Sequence, residues 1–188
     1  MAKTVLVIGG SRSGKSDYAQ VLAETGTEMR YYLATCPRST GGIEQDQQSD
    51  DKEMSARILA HQQNRQGGLW QTIEEPLQLA LLLQTLPAQA TILIDCLTLW
   101  VSNLLYADTV GALDEEQITA LAQELLAASR SRAGRVIFVT SEVGCGGISE
   151  HALSRRYRDL VGRCNQMIAA GVDRVVQVVC GIPVIIKG

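Results

Sequence analysis

The sequence predicts an α/β protein: a mainly parallel sheet flanked by helices, with a strand pair at its C-terminal end. Three observations lead there. Short apolar runs rich in β-branched residues (TVLVI, TILID, RVIFVT) recur without polar alternation, the mark of strands buried on both faces. Amphipathic stretches of helix length lie between them. The first run opens into a glycine-rich turn and then a helix, the setting in which a loop can hold phosphate.

In chain order, Thr4–Ile8 reads as a strand and about Lys15–Glu24 as the helix after the glycines. Arg30–Ala34 (RYYLA) is the second strand. Thr35–Asp51 is polar, contains Pro37, Gly41 and Gly42, and reads as a loop. A helix over about Lys52–Asn64 and a short strand near Trp70–Ile73 follow. Pro76 suits the first turn of a helix over Leu77–Leu86, where its missing N–H has no partner to lose. Thr91–Asp95 is a core strand and Leu97–Tyr106 a helix. Asp114, Glu115 and Glu116 put negative charge at the start of a longer helix reaching about Arg132. Arg135–Thr140 is another core strand, and Ser149 suits the cap of a helix running to about Ala170. Arg174–Val179 and Pro183–Lys187 are strands separated by a turn at Gly181. With no internal repeat or linker, 188 residues are expected to form one domain, 1–188.

Composition excludes several functions. The 17 Lys and Arg against 20 Asp and Glu give a net charge of −3, so no basic field awaits nucleic acid. Aromatics at 4% leave no base-stacking platform. The five cysteines (Cys36, Cys96, Cys145, Cys164, Cys180) are odd in number and form no CxxC, and His61 and His151 are the only histidines. That usage fits reduced thiols, neither a disulfide framework nor a structural zinc site. Thr4–Ile8 is too short for a secretory leader, and the apolar window Ala90–Ala107 is broken by Asp95, Ser102 and Asn103. A cytoplasmic protein without a membrane span is expected.

Gly9-Gly10-Ser11-Arg12-Ser13-Gly14-Lys15-Ser16 satisfies GxxxxGK[ST] between a buried strand and a helix. Glycines let backbone N–H groups curl around an anion, and the helix N-terminus adds positive charge. Lys15 is placed to reach the terminal phosphates and Ser16 to offer a hydroxyl to Mg²⁺. The competing reading is a glycine turn that merely joins strand to helix. Asp95, closing TILID, is either the carboxylate that helps hold Mg²⁺ or an ordinary strand-end Asp. Glu142, after the next core strand, points to the same crevice, because such sheets bind ligands beyond their strand C-termini. Arg57, His61 and Arg65 are spaced i, i+4, i+8 on one helix face. A neutral imidazole there can attack phosphorus, with guanidiniums binding the phosphate oxygens. The alternative is a solvated helix face. His151 is assigned no role.

These features combine with others into a resemblance. YLAT (Tyr32–Thr35), RIxxH within Glu53–His61, VSNL (Val101–Leu104), ILIDC (Ile92–Cys96), EVGCG (Glu142–Gly146), RRYRDLVGRCNQ (Arg155–Gln166) and the closing CGIPVIIK accompany the loop. Together they resemble the bifunctional adenosylcobinamide kinase/adenosylcobinamide-phosphate guanylyltransferase family of cobalamin biosynthesis. The resemblance implies a P-loop NTPase fold of the RecA-like kind and two reactions at one nucleotide site. The aminopropanol hydroxyl of adenosylcobinamide takes a phosphoryl group from ATP or GTP. GTP then guanylylates a histidine, by position His61, and GMP passes to adenosylcobinamide phosphate. Carried over residue by residue, the implied nucleotide contacts are the loop Gly9–Ser16, Ala34, Thr35, Cys36, Gln62, Gln63, Asn64, Arg65, Glu74 and Asp95, with Arg57 on phosphate and Ser16 and Asp95 on Mg²⁺. Family members typically assemble as homo-oligomers, usually trimers.

The sequence departs from that pattern in places. Cys36–Lys52 is long and polar, Ser141 and Ser149 stand where Asn and Pro are common, and residues 62–65 (QQNR) carry one cation. Two other functions remain in view: a monofunctional P-loop metabolite kinase with His61 structural, and a GTP-dependent switch. Against the switch, NKxD is absent, and the DxxG at Asp108–Gly111 follows no core strand.

Overall fold

The computed structural model describes residues 3–26, 29–36, 70–108, 113–147 and 149–188. Among the described residues seven strands form one sheet: β1 (Thr4–Gly9), β2 (Arg30–Ala34), β3 (Trp70–Glu74), β4 (Thr91–Asp95), β5 (Val136–Ser141), β6 (Arg174–Val179) and β7 (Ile182–Lys187). Their spatial order is β3-β2-β4-β5-β1-β6-β7. The first six run parallel, and β7 returns antiparallel to β6 as the expected C-terminal pair. One strand, β5, separates the strand that leads into the glycine loop from the strand that ends in Asp95.

The apolar runs explain the layers. Side chains alternate across each strand, so β-branched runs feed two cores at once. Val5, Val7, Leu93, Ile137, Val139, Val176 and Val178 meet Ala19 and Ala23 of α1 (Lys15–Ala23) on one face. Leu6, Leu33, Ile92, Ile94, Val136, Phe138 and Val175 face the other way. There they meet α2 (Leu79–Thr85), α3 (Leu97–Ala107), α4 (Glu115–Arg130) and α5 (Ala152–Gly171). Small side chains on α1 let it lie close to the sheet directly behind the glycine loop. No helix among the described residues is long and apolar enough to cross a membrane.

Of three helix starts, one meets the sequence expectation and two differ from it. α4 opens as expected: Asp114 accepts from Gln117 N at 2.8 Å, and Gln117 Oε1 accepts from Asp114 N at 3.3 Å, a reciprocal capping box. α2 begins at Leu79, two residues later than expected. The Glu75 carboxylate takes the N–H groups of Leu77 and Gln78 at 2.9 and 2.8 Å, so Pro76 lies in a turn before the helix. Ser149 does not cap α5, which starts at Ala152 after His151. Its hydroxyl accepts from His151 N at 3.3 Å, and its carbonyl is taken by the Arg155 guanidinium at 2.9 Å. The expected helix Lys52–Asn64 and nearly all of the loop Thr35–Asp51 lie outside the described residues.

Loss of the capping box is measurable. Asp114→Ala should lower stability by about 1 kcal/mol, and hence Tm by about 2–4 °C, in a thermal melt followed by circular dichroism. An unchanged Tm would show that α4 is held by its packing alone.

Candidate nucleotide site

The glycine loop joins β1 to α1 through backbone conformations that few side chains allow. Arg12 (φ 55°) and Gly14 (φ 87°) are left-handed. Ser13 N donates to Gly10 O at 3.3 Å, and Tyr18 N to Gly14 O at 3.0 Å. Gly14 caps α1 without a side-chain acceptor, so the first-turn N–H groups meet no capping side chain. The Lys15 ammonium folds back onto Gly10 O at 3.0 Å. These groups converge on a cavity of about 690 Å³, walled by the loop and the first turn of α1, by Thr98, and by Ser141, Glu142 and Val143. Concentrated N–H groups, a helix N-terminus and a lysine suit an oligophosphate.

The loop has a close neighbour that its motif does not announce. A methyl group on Gly9 would lie 2.5 Å from Ser13 Oγ and 2.6 Å from Val178 O, and one on Gly14 would lie 3.3 Å from Gly181 Cα. Gly181 N donates to Ser13 O at 2.8 Å. The turn between β6 and β7 is therefore part of the loop's wall.

Other expected site residues line the C-terminal edge of the sheet. Ala34 pairs with Glu74 on one side and Asp95 on the other, which sets these three at one level. At one strand spacing each, Asp95 stands roughly 10 Å from β1 along the edge and Glu74 roughly 19 Å. Asp95 Oδ2 accepts from the Tyr32 hydroxyl at 3.2 Å. Thr35 is buried and internally engaged. Its hydroxyl donates to Cys96 O at 2.9 Å and accepts from Cys96 N at 2.8 Å, and its carbonyl accepts from Asn103 Nδ2 at 2.7 Å. Burial, with Glu74 nearby, raises the Cys36 pKa. The Cys96 thiol is pushed up to about 11 by burial and then by Asp95, partly offset by hydrogen bonding to the Leu99 backbone and the Thr98 side chain and, least, by Lys15. Both stay as thiols at neutral pH, and Lys15 lies within electrostatic reach of the Asp95 end of β4. Arg57, His61, Gln62, Gln63, Asn64 and Arg65 lie outside the described residues.

Sequence reasoning missed a buried polar chain behind the cavity. Thr98 and Thr140 hydroxyls lie 3.3 Å apart, and Thr140 donates to Asn165 Oδ1 at 2.7 Å. Ser141 N donates to Thr98 Oγ1 at 2.7 Å, while Asn165 Nδ2 donates to Ser141 O at 3.3 Å. Tyr157 adds its hydroxyl to Thr98 O at 3.1 Å, with burial pushing its pKa to about 12 so that it remains a donor. The chain ties α3, β5 and α5 together beneath Ser141 and Glu142. Its sequence signal was Asn165 standing between Val161 and Ile168 on the buried stripe of α5.

Mg²⁺ suits the donors present. The half-buried Ser16 hydroxyl and the Asp95 carboxylate are hard oxygen ligands of the kind Mg²⁺ selects. Among the described residues no group of three or more His, Cys, Asp or Glu is gathered for a metal ion.

The family model described as cobinamide kinase / cobinamide phosphate guanyltransferase matches residues 5–186. The bifunctional adenosylcobalamin biosynthesis protein CobP of Pseudomonas aeruginosa is 39% identical over 184 residues, covering 97% of this chain and 96% of that protein. Its counterparts named CobU in Escherichia coli K12 and Salmonella typhimurium are 37% and 38% identical, each covering 97% of this chain and 99% of the relative. Among solved structures, a prototypical ATPase of the type III secretion system of pathogenic bacteria overlays with a TM-score of 0.49 at 10% identity, over 93% of this chain and 50% of that one. The P4 protein of bacteriophage phi6 in complex with ADP gives 0.43 at 11%, over 97% and 52%. This chain spans about half the length of those two. With its model matched nearly end to end, and with full-length relatives at 37–39% identity, the chain belongs to the cobinamide kinase / cobinamide phosphate guanyltransferase family.

Proposed function

We propose that this chain, acting as one cytoplasmic domain, phosphorylates adenosylcobinamide and then guanylylates the product at a single nucleotide site. The observation that carries this reading is the convergence of loop amides, the α1 N-terminus and Lys15 on one cavity in a chain of this family. In the first reaction the aminopropanol hydroxyl attacks the γ-phosphorus of ATP or GTP and the nucleoside diphosphate leaves. In the second, the His61 imidazole attacks the α-phosphorus of GTP and pyrophosphate leaves. The phosphate of adenosylcobinamide phosphate then displaces His61, giving adenosyl-GDP-cobinamide.

Gly9, Gly10, Ser11, Arg12, Ser13 and Gly14 hold phosphate oxygens through backbone N–H groups, and Lys15 neutralises charge that builds in either transition state. Ser16 and Asp95 would hold Mg²⁺, whose chemistry is to neutralise and align the phosphates. Arg57 and Arg65 flank His61 as phosphate partners, with Gln62, Gln63 and Asn64 beside them. Ala34, Cys36 and Glu74 reach the nucleoside end, consistent with their position two strands or more from the loop. Thr35 acts by shaping that edge, since its polar groups bind within the fold.

Labelling tests the assignment. Incubation with α-labelled GTP should leave acid-labile, alkali-stable label on the wild type and none on His61→Ala, which keeps its kinase activity. Lys15→Ala should lose about 10²–10³-fold in both reactions. Label on His61→Ala would displace the nucleophile assignment, and an unlabelled wild type that still phosphorylates adenosylcobinamide would be a monofunctional kinase.

We also infer a homo-oligomer, a trimer by resemblance, built through β7. All six residues of β7 are exposed, with Ile182 at 65%, Val184 at 50%, Ile185 at 57% and Ile186 at 60%. An apolar edge strand of this kind is ordinarily covered. Light scattering should give a multiple of the 20.3 kDa chain mass for the wild type, and the chain mass itself for Val184→Asp combined with Ile185→Asp. A monomeric wild type would refute it.

A further inference from the structure

The two reactions make unequal demands on a base. In guanylyl transfer the nucleophiles are a neutral imidazole and an already ionised phosphate monoester, neither of which has to surrender a proton to the protein. In the kinase reaction the nucleophile is an alcohol, which must lose its proton as the new P–O bond forms. Asp95, the carboxylate taken above for the metal, is not among the groups walling the 690 Å³ cavity. Among the described residues two other carboxylates are: Asp17 and Glu142. Asp17 lies two residues beyond Lys15, roughly 200° around α1, which turns it away from the ammonium. Glu142 stands across the cavity, directly beyond the end of β5.

Glu142 is also held in place. Its N–H donates to Gly9 O at 3.2 Å, extending the β5–β1 pairing by one residue to the start of the phosphate loop. Its Oε1 accepts from Gly144 N at 2.6 Å, a tight turn in which a methyl group on Gly144 would lie 2.9 Å from that oxygen. The preceding Ser141 is pinned on both sides, by Thr98 to its N–H and by Asn165 to its carbonyl. A carboxylate anchored through one oxygen on a fixed backbone, facing the cavity of the phosphate loop, is placed as a catalytic group should be.

From this arrangement we propose that Glu142 is the general base of the kinase reaction. The substrate O–H bond breaks as its proton passes to the Glu142 carboxylate. The oxygen forms its bond to the γ-phosphorus, the bond from that phosphorus to the β,γ-bridging oxygen breaks, and the nucleoside diphosphate leaves. Glu142 then returns the proton to water. This rests on the two-reaction reading above, so the test measures each reaction separately.

With adenosylcobinamide and ATP, single-turnover phosphorylation by Glu142→Gln should fall about 10²–10⁴-fold, with the apparent ATP affinity within about threefold of wild type. With adenosylcobinamide phosphate and GTP supplied, the same variant should form adenosyl-GDP-cobinamide at close to the wild-type rate, which also reports that it is folded. Equal losses in both reactions would make Glu142 a nucleotide-positioning residue and overturn the proposal, as would full kinase activity in the variant. A wild type without kinase activity would instead overturn the two-reaction reading itself.

Discussion

The parallel register between β1 and β5 is the constraint on which the rest of the molecule depends. Six consecutive pairs, from Thr4↔Val136 to Gly9↔Ser141, fix the two strands against each other. Slipping that register by one residue would turn Val5 and Val7 toward the wrong core and Leu6 toward α1. It would also part Gly9 from Ser141, and with them the phosphate loop from Glu142. Hydrophobic burial along the middle of the sheet thus sets, at its end, the distance between groups that share one cavity.

Polar interactions then refine what burial begins. Thr98, Thr140 and Asn165 are all buried, and a buried polar group without a partner costs on the order of 1–3 kcal/mol. Each finds its partners only when α3, β5 and α5 sit in one arrangement, so the chain penalises alternative packings that an apolar core would tolerate. The arrangement delivers the Ser141 peptide, pinned at both ends, to the rim of the cavity.

Much of this was legible in the sequence, for definite reasons. TVLVI, TILID and RVIFVT stand out because strands buried on both faces leave no room for polar alternation, and GGSRSGKS because its glycines follow such a strand directly. The start of α4 was visible as charge at Asp114, Glu115 and Glu116, while its capping box with Gln117 was not read. Ser149 misled because a hydroxyl at the right spacing says nothing of competing partners, here His151 N and the Arg155 side chain. Pro76 misled because Glu75, one residue earlier, holds the Leu77 and Gln78 N–H groups in a turn that precedes the helix. The Thr98–Thr140–Asn165 chain links residues 42 and 25 positions apart, and the hairpin turn meets the loop from the other end of the chain. Local patterns do not encode such distant meetings. The helix expected to carry His61 lies beyond the described residues, so its placement rests on spacing and resemblance.

The contact of Gly181 with Ser13 and Gly14 changes what the phosphate-binding motif means in this protein. Eight residues near the N-terminus carry the signature, yet one wall of the loop they form comes from Val178 and Gly181, some 170 positions later. The signature is not a portable cassette: a chain cut short before Val178 would retain every motif residue and lose the surface against which the loop is moulded. During synthesis the loop emerges well before the residues that complete its wall.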